Sequence, residues 1–136
     1  MLNRTQLKKL AKLRLKEAKA LYEKKLYDGS LYLAGYVVEL SLKSRICKVL
    51  HLDQYPDESF FKTHKHDRLK LLGGLREELA TKLESKNFRA NWSIVTEWSP
   101  DFRYNRSGTT EEQAGAMLQA LEDPKDGVFT WLRMLW

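Results

Sequence analysis

Arginine and histidine residues a few positions apart are the first candidates for chemistry in this chain. An arginine can bind a phosphate through two hydrogen bonds, and a histidine can transfer a proton near neutral pH. Arg45 and His51 lie six positions apart at the end of the apolar run of residues 31–51. If one helix contains both, their side chains point about 120° apart around its axis. We therefore do not expect Arg45 and His51 to act as a catalytic pair.

Two later segments hold better candidates for binding a nucleotide or transferring a proton: His64, His66, Asp67, Arg103, Tyr104 and Arg106. All six are candidate ligand-binding residues, because a tyrosine ring can stack on a base while arginines contact phosphates. Arg103 with His66 or His64 is the candidate catalytic set, which requires the fold or a dimer to bring the two segments together. The alternative is that Tyr104 closes the core and the arginines pair with nearby carboxylates.

The chain is basic, but its positive charge is concentrated in one segment. It has 136 residues and a formal net charge of +6. Residues 1–25 hold nine basic and two acidic residues, so they carry +7, while the other 111 residues hold 15 basic and 16 acidic ones. Such a segment can follow a phosphate backbone or contact an acidic protein, and it can also be an ordinary solvated helix face.

The composition excludes several classes of protein. With 43% hydrophobic and 31% charged residues, the chain has the composition of a folded domain rather than a disordered one. No apolar stretch reaches the roughly 20 residues that span a bilayer. The single cysteine, Cys47, can form no internal disulfide, so we expect a reduced, cytoplasmic setting. We expect one domain over residues 1–136 and no cofactor. We also expect no metal site, because the histidine segment lacks further histidines or cysteines to complete a ligand set.

Helical periodicity predicts all the regular elements. Helices are expected at about residues 5–25, 30–50, 67–73, 75–83, 85–98, 109–121 and 124–136. The expected breaks and caps are Asp28-Gly29, Thr109 with Glu112, and Asp123-Pro124. The chain is thus predicted to be all-α, an up-and-down helical bundle of four to five main helices.

Two charged residues fall on the apolar faces of the first two helices. Arg14 lies in the middle of the first apolar face, and Glu39 lies among apolar residues of the second. Because an isolated buried charge is costly, we predict a structural ion pair between Arg14 and Glu39. The alternative is that Glu39 lines a cleft and holds a ligand. The four tryptophans are expected in the core, and exposure of Trp136 would indicate an interface.

Four segments of the chain, taken in order, resemble the HEPN domain family. Residues 32–44, YLAGYVVELSLKS, are similar to its tyrosine-rich second helix, which ends in a Glu-x-x-Leu-Lys motif. Residues 11–21 resemble its first helix. Residues 63–69 resemble its Thr-His-Asp-Leu segment with two residues inserted, and residues 98–104 resemble its tryptophan and Arg-Tyr segment. The resemblance extends over about residues 5–120.

The resemblance implies a helical bundle that often dimerises. Some family members are metal-independent RNases with an arginine, four to six residues and a histidine, commonly with a polar residue after the arginine. Others bind nucleotides or are partners of small nucleotidyltransferases. Arg45 and His51 fit the count, but Ile46 is apolar and the pair lies on the second helix rather than later in the bundle.

These observations together favour a HEPN-like protein that binds nucleotide or RNA and lacks a standard RNase site. We expect it to act with a partner, either a nucleotidyltransferase of a toxin–antitoxin system or a second copy in a homodimer. The lysines of the first helix would then provide an electrostatic track. Two alternatives stay open. One is a metal-independent endoribonuclease with a nonstandard Arg/His site, and the other is a scaffolding subunit that binds an acidic protein.

Overall fold

A computed structural model describes residues 2–56, 74–104 and 108–136, without the side chain of Arg103. The elements in order are α1 (Arg4–Glu23), α2 (Tyr27–Val49), α3 (Arg76–Lys82), α4 (Lys86–Thr96), a 3₁₀ helix (Pro100–Tyr104), α5 (Glu111–Glu122) and α6 (Val128–Leu132). Within these ranges there is no strand, and Asn3 and Gln54 form one isolated antiparallel bridge. The predicted all-α fold is confirmed. The helix predicted at 67–73 lies outside the described residues.

The helix α1 begins and ends at residues that satisfy its terminal backbone groups. The Asn3 side chain accepts a hydrogen bond from the Gln6 N–H, and the Gln6 side chain accepts one from the Asn3 N–H. At the other end Lys25 has a left-handed backbone with φ of 62°, and the Leu26 N–H donates to the Leu21 carbonyl at 2.9 Å. This is a Schellman motif, and it turns the chain so tightly that α2 packs against α1 as a helical hairpin.

The predicted helix break at Asp28-Gly29 is wrong. The Schellman turn is complete before these residues, so both lie in the first turn of α2. The Asp28 carboxylate accepts a hydrogen bond from the Thr109 N–H at 2.6 Å. This bond fastens the segment before α5 to the start of α2.

The central position of α2 follows from its apolar composition on all sides. It contacts α1, α5, α6 and the 3₁₀ helix, and 13 of its 23 residues are buried. On α1 the buried residues recur about one turn apart: Leu7, Ala11, Leu15 and Ala18. The later helices contribute large core side chains: Phe88, Trp92, Met117, Leu121, Phe129, Trp131 and Leu132. None of the described helices is long and apolar enough to cross a membrane.

The two later helix starts differ from the predicted ones by a few residues. The capping box of α5 uses Thr110 and Gln113 instead of Thr109 and Glu112, and the reciprocal hydrogen bonds measure 3.2 and 3.0 Å. Asp123 does not start a helix. Its carboxylate accepts from the N–H groups of the next turn, and α6 begins only at residue 128.

Candidate functional site

A glycine in α2 leaves space for the Trp98 ring to pack against the helix backbone. Gly35 is buried, and a Cβ atom at this position would lie 1.9 Å from Cε2 of the Trp98 ring. The indole therefore lies directly on the helix backbone, and its Nε1–H donates to the Tyr32 carbonyl at 3.2 Å. A residue larger than glycine would displace the ring.

Two tyrosines one helical turn apart complete an aromatic cluster, which we define as Tyr32, Tyr36 and Trp98. The ring centroids of Tyr36 and Trp98 are 5.0 Å apart, and those of Tyr32 and Tyr36 are 5.2 Å apart, both in edge-to-face arrangement. The two tyrosine hydroxyls lie 3.2 Å apart. Such contacts add packing energy beyond area burial, so they hold the start of the 98–104 segment firmly on α2.

The 3₁₀ helix after Trp98 presents Tyr104 to solvent. Phe102 packs against the core, and the Asp101 N–H donates to Ser99 Oγ at 3.2 Å. Tyr104 is 69% exposed. The alternative in which Tyr104 closes the core is therefore excluded, and its ring is accessible to a stacking partner.

The Glu-x-x-Leu-Lys motif forms a buried ion pair within α2. Glu39 Oε1 lies 3.0 Å from Lys43 Nζ, and the two side chains are only 1% and 9% exposed. Lys43 Nζ also lies 5.1 Å from the centroid of the Tyr55 ring. Residues four apart lie on the same side of a helix, so the spacing of Glu39 and Lys43 was the signal that could have predicted this pair.

The predicted ion pair between Arg14 and Glu39 is wrong. Arg14 Nη1 donates to both carboxylate oxygens of Glu17, at 2.7 and 2.9 Å, and the Arg14 side chain is 31% exposed. The physical reason is that the buried face of α1 passes through Leu15 rather than through Arg14. Arg14 therefore lies at the edge of that face, where a surface carboxylate reaches it.

Arg45 and His51 occupy the end of α2 in separate roles. The Arg45 guanidinium donates to the Leu135 carbonyl at 3.0 Å. The helix ends at Val49, so His51 lies beyond it, exposed and with a left-handed φ of 53°. The angle of 120° expected for one continuous helix does not apply, because His51 belongs to the turn.

Comparison with known proteins identifies the family of this chain. A family model described as HEPN domain matches residues 5–123. The chain belongs to the HEPN family. No curated protein and no solved structure matches it. Membership supports a nucleotide- or RNA-related role.

The other predicted ligand contacts of this HEPN protein are not described by the structure. His64, His66, Asp67 and Arg106 lie outside the described residues, and only the backbone of Arg103 is given, in the 3₁₀ helix. The composite arginine–histidine set therefore stays a prediction. Within residues 2–56, 74–104 and 108–136, no group of three or more His, Cys, Asp or Glu residues is placed to hold a metal ion.

Basic side chains of the HEPN bundle also gather around Trp136, which is half-buried and lies beyond the family match. Lys8 Nζ and Lys12 Nζ lie 5.6 and 5.8 Å from the centroid of the indole ring. Arg4 Nη2 donates to the main-chain oxygen of Trp136 at 2.7 Å. Lys48, on α2, approaches the main-chain oxygen of residue 135 at 3.5 Å. We call Arg4, Lys8, Lys12 and Lys48 the basic cluster.

Proposed function

We propose that this HEPN protein binds nucleotide or RNA through the segment after Trp98. The observation that carries the proposal is the exposed Tyr104 ring on a segment anchored by a buried tryptophan and by Phe102. A ring on a fixed support stacks on a base without first losing the conformational freedom of a loose loop. Base stacking on an aromatic side chain contributes about 1–3 kcal/mol by alanine substitution.

The neighbouring residues provide the chemistry for the rest of a nucleotide. Arg103 and Arg106 flank Tyr104 in the sequence, and guanidinium groups bind phosphate through paired hydrogen bonds. We include His64, His66 and Asp67 as further contacts on the basis of the family resemblance. We propose no catalytic role for Arg45 and His51, because the Arg45 guanidinium already donates a hydrogen bond to the Leu135 carbonyl.

We further propose that the chain is a single cytoplasmic domain that acts with a partner. Family resemblance suggests a small nucleotidyltransferase of a toxin–antitoxin system or a second copy of the chain. Light scattering of the purified protein tests for the homodimer. Co-purification with a nucleotidyltransferase encoded beside it tests for the other partner.

The binding site is tested by two substitutions of Tyr104. Tyr104→Ala should weaken binding of a fluorescein-labelled single-stranded RNA by roughly five- to 150-fold, the equivalent of about 1–3 kcal/mol. Tyr104→Phe keeps the ring and should bind like the wild type. The measurement is fluorescence anisotropy at fixed salt, because affinity for RNA depends strongly on salt. Unchanged affinity of Tyr104→Ala would remove this site from the proposal.

Incubation with RNA in EDTA separates binding from cleavage. The binding protein should leave the RNA intact. Cleavage that disappears in Arg103→Ala and in His66→Ala would establish the metal-independent endoribonuclease instead. Absence of RNA binding at low salt would leave the scaffolding subunit as the remaining reading.

A further inference from the structure

The basic cluster around Trp136 is a second surface with binding chemistry. In the first half of α1 the cations Arg4, Lys8 and Lys12 recur every four residues, so they follow one another at about 6 Å along the axis. Lys48 approaches Lys8 from α2 and broadens the row. The chain thus presents a regular line of single positive charges.

This line differs from the second half of α1 in its lack of carboxylate partners. Further along, Arg14 pairs with Glu17, and Lys19 pairs with Glu122 at 3.1 Å. Among the residues that the structure describes, no member of the basic cluster forms an ion pair with a side-chain carboxylate. The main-chain oxygens of residues 136 and 135 accept hydrogen bonds from Arg4 and Lys48.

Burial and neighbouring positive charge both act on Lys8. Partial burial, followed by the charges of Arg4, Lys48 and Lys12, lowers the pKa of Lys8 from its ordinary value. A bound anion would remove that repulsion, whereas an additional cation would increase it. The cluster is therefore a surface that gains by taking up negative charge.

The aromatic ring fixes the lysines in place. Trp136 packs edge-to-face on Phe129 with ring centroids 5.5 Å apart, so the indole is held by the core. Lys8 and Lys12 lie over it, and cation–π contact restricts their side chains. Less conformational entropy is then lost when they contact a ligand.

We propose that Lys8, Lys12 and Lys48, arranged around Trp136, bind the phosphate backbone of single-stranded RNA. A regular row of equal charges suits a backbone with one charge per nucleotide better than an acidic protein, whose carboxylates are irregularly spaced. The proposal rests on the RNA-binding function proposed above and adds a second contact surface to it. Tyr36 and Lys48 are 12 residues apart on α2, so the aromatic cluster and this surface are separated by about 18 Å along the helix.

A triple variant with a charge-matched control tests this surface. Lys8→Gln/Lys12→Gln/Lys48→Gln removes three charges from it. Lys86→Gln/Arg89→Gln/Lys125→Gln removes three charges from exposed positions elsewhere. Circular dichroism confirms the fold of both, and anisotropy with a labelled 20-nucleotide single-stranded RNA measures binding between 50 and 200 mM salt.

The cluster variant should bind the RNA at least about tenfold more weakly than the control. Its slope of log affinity against log salt should fall by about 2, since each phosphate contact on a single strand contributes about 0.7. Equal losses in the two triple variants would overturn the proposal. Displacement of the RNA by polyglutamate at equal charge concentration would also overturn it, and would indicate an acidic protein as the ligand.

The outcomes separate this surface from the Tyr104 site. If Tyr104→Ala loses affinity and the cluster variant does not, the second surface is wrong while the proposed function stands. If only the cluster variant loses affinity, RNA binds here and the Tyr104 site is wrong. If the wild type binds no RNA, both proposals fail.

Discussion

Two of the places where lysine side chains lie against aromatic rings differ in their electrostatic surroundings. Lys43 lies 5.1 Å from the ring of Tyr55, is buried, and has the Glu39 carboxylate at 3.0 Å. Lys8 and Lys12 lie 5.6 and 5.8 Å from the ring of Trp136, near the surface, beside other cations. The geometry of the ring contact is similar, but within the described part of the chain Lys43 alone of these three lysines forms an ion pair with a side-chain carboxylate.

The difference shows which charges maintain the fold and which are available to a ligand. A buried cation needs its counter-charge, so Glu39 and Lys43 depend on each other for burial. A surface cation is solvated, and its repulsion from neighbours costs little stability while it favours an incoming anion. We expect the interior pair to control stability and the Trp136 cluster to control binding.

The largest expected effect is on the interior pair. Glu39→Ala leaves the Lys43 ammonium buried without this carboxylate, so the free energy of unfolding should fall by about 3–5 kcal/mol. For a domain of this size that lowers the melting temperature by roughly 10 °C or more. Urea unfolding and thermal melts followed by circular dichroism measure both quantities.

The control replaces both charges. Glu39→Leu/Lys43→Met removes the pair together and should recover most of the lost stability, because a well-packed apolar pair can substitute for a buried ion pair. If Glu39→Ala melts within a degree of the wild type, the buried pair does not support the fold and the contrast with the surface lysines disappears.

The second prediction concerns the packing of Trp98 against Gly35 on α2, the helix that also contains Glu39 and Lys43. In Gly35→Ala the new Cβ would overlap the indole at 1.9 Å, so the ring must move and we expect a loss of about 1–3 kcal/mol. Gly29→Ala is the matched control in the first turn of α2. Its Cβ would meet the flexible end of the Leu21 side chain, with Cδ1 at 3.2 Å and Cδ2 at 4.0 Å, and alanine is the better helix former. Equal stability of the two variants in urea would show that Trp98 is not held by this contact.

The sequence predicted the fold well because its signals are local. The apolar periodicity of α1 and the all-round apolar surface of α2 predict a bundle with α2 at its centre, and both are observed. The missed boundary shows the limit. Asp28-Gly29 is a typical break, but the left-handed turn falls on Lys25, where a lysine takes the conformation that glycine usually adopts.

The sequence predicted individual charged residues less well, because their partners depend on side-chain direction. Glu39 was correctly predicted to be buried, but its partner is Lys43 on the same helix and not Arg14 on the neighbouring one. A shift of one residue in the centre of the α1 face was enough to move Arg14 to the edge. The basic cluster could be predicted only in part, because Lys48 and Trp136 are brought to α1 by tertiary packing.

The third prediction is a small effect at the surface cluster. Lys8→Gln removes like-charge repulsion with Arg4 and Lys12, worth about 0.2–0.5 kcal/mol per pair, and also loses a cation–π contact worth about 0.5–1 kcal/mol. These terms nearly cancel, so the free energy of unfolding should change by less than about 0.5 kcal/mol. A loss as large as that of Glu39→Ala, measured by urea unfolding, would mean that Lys8 is structural.

The smallest effect is the titration of Lys8 itself. Its pKa is lowered by burial and then by Arg4, Lys48 and Lys12, so the folded protein disfavours the ammonium relative to the unfolded chain. That penalty is fully present below the folded-state pKa. It is relieved as the pH rises through that value towards the ordinary lysine pKa of 10.5, so stability relative to Lys8→Gln should rise over this range. An NMR titration of the lysine side chains should give Lys8 a midpoint below the ordinary lysine value of 10.5. Bound RNA should move the Lys8 midpoint back upwards, because phosphates favour the charged form. A Lys8 midpoint at the ordinary lysine value, unmoved by RNA, would contradict the surroundings described for the basic cluster.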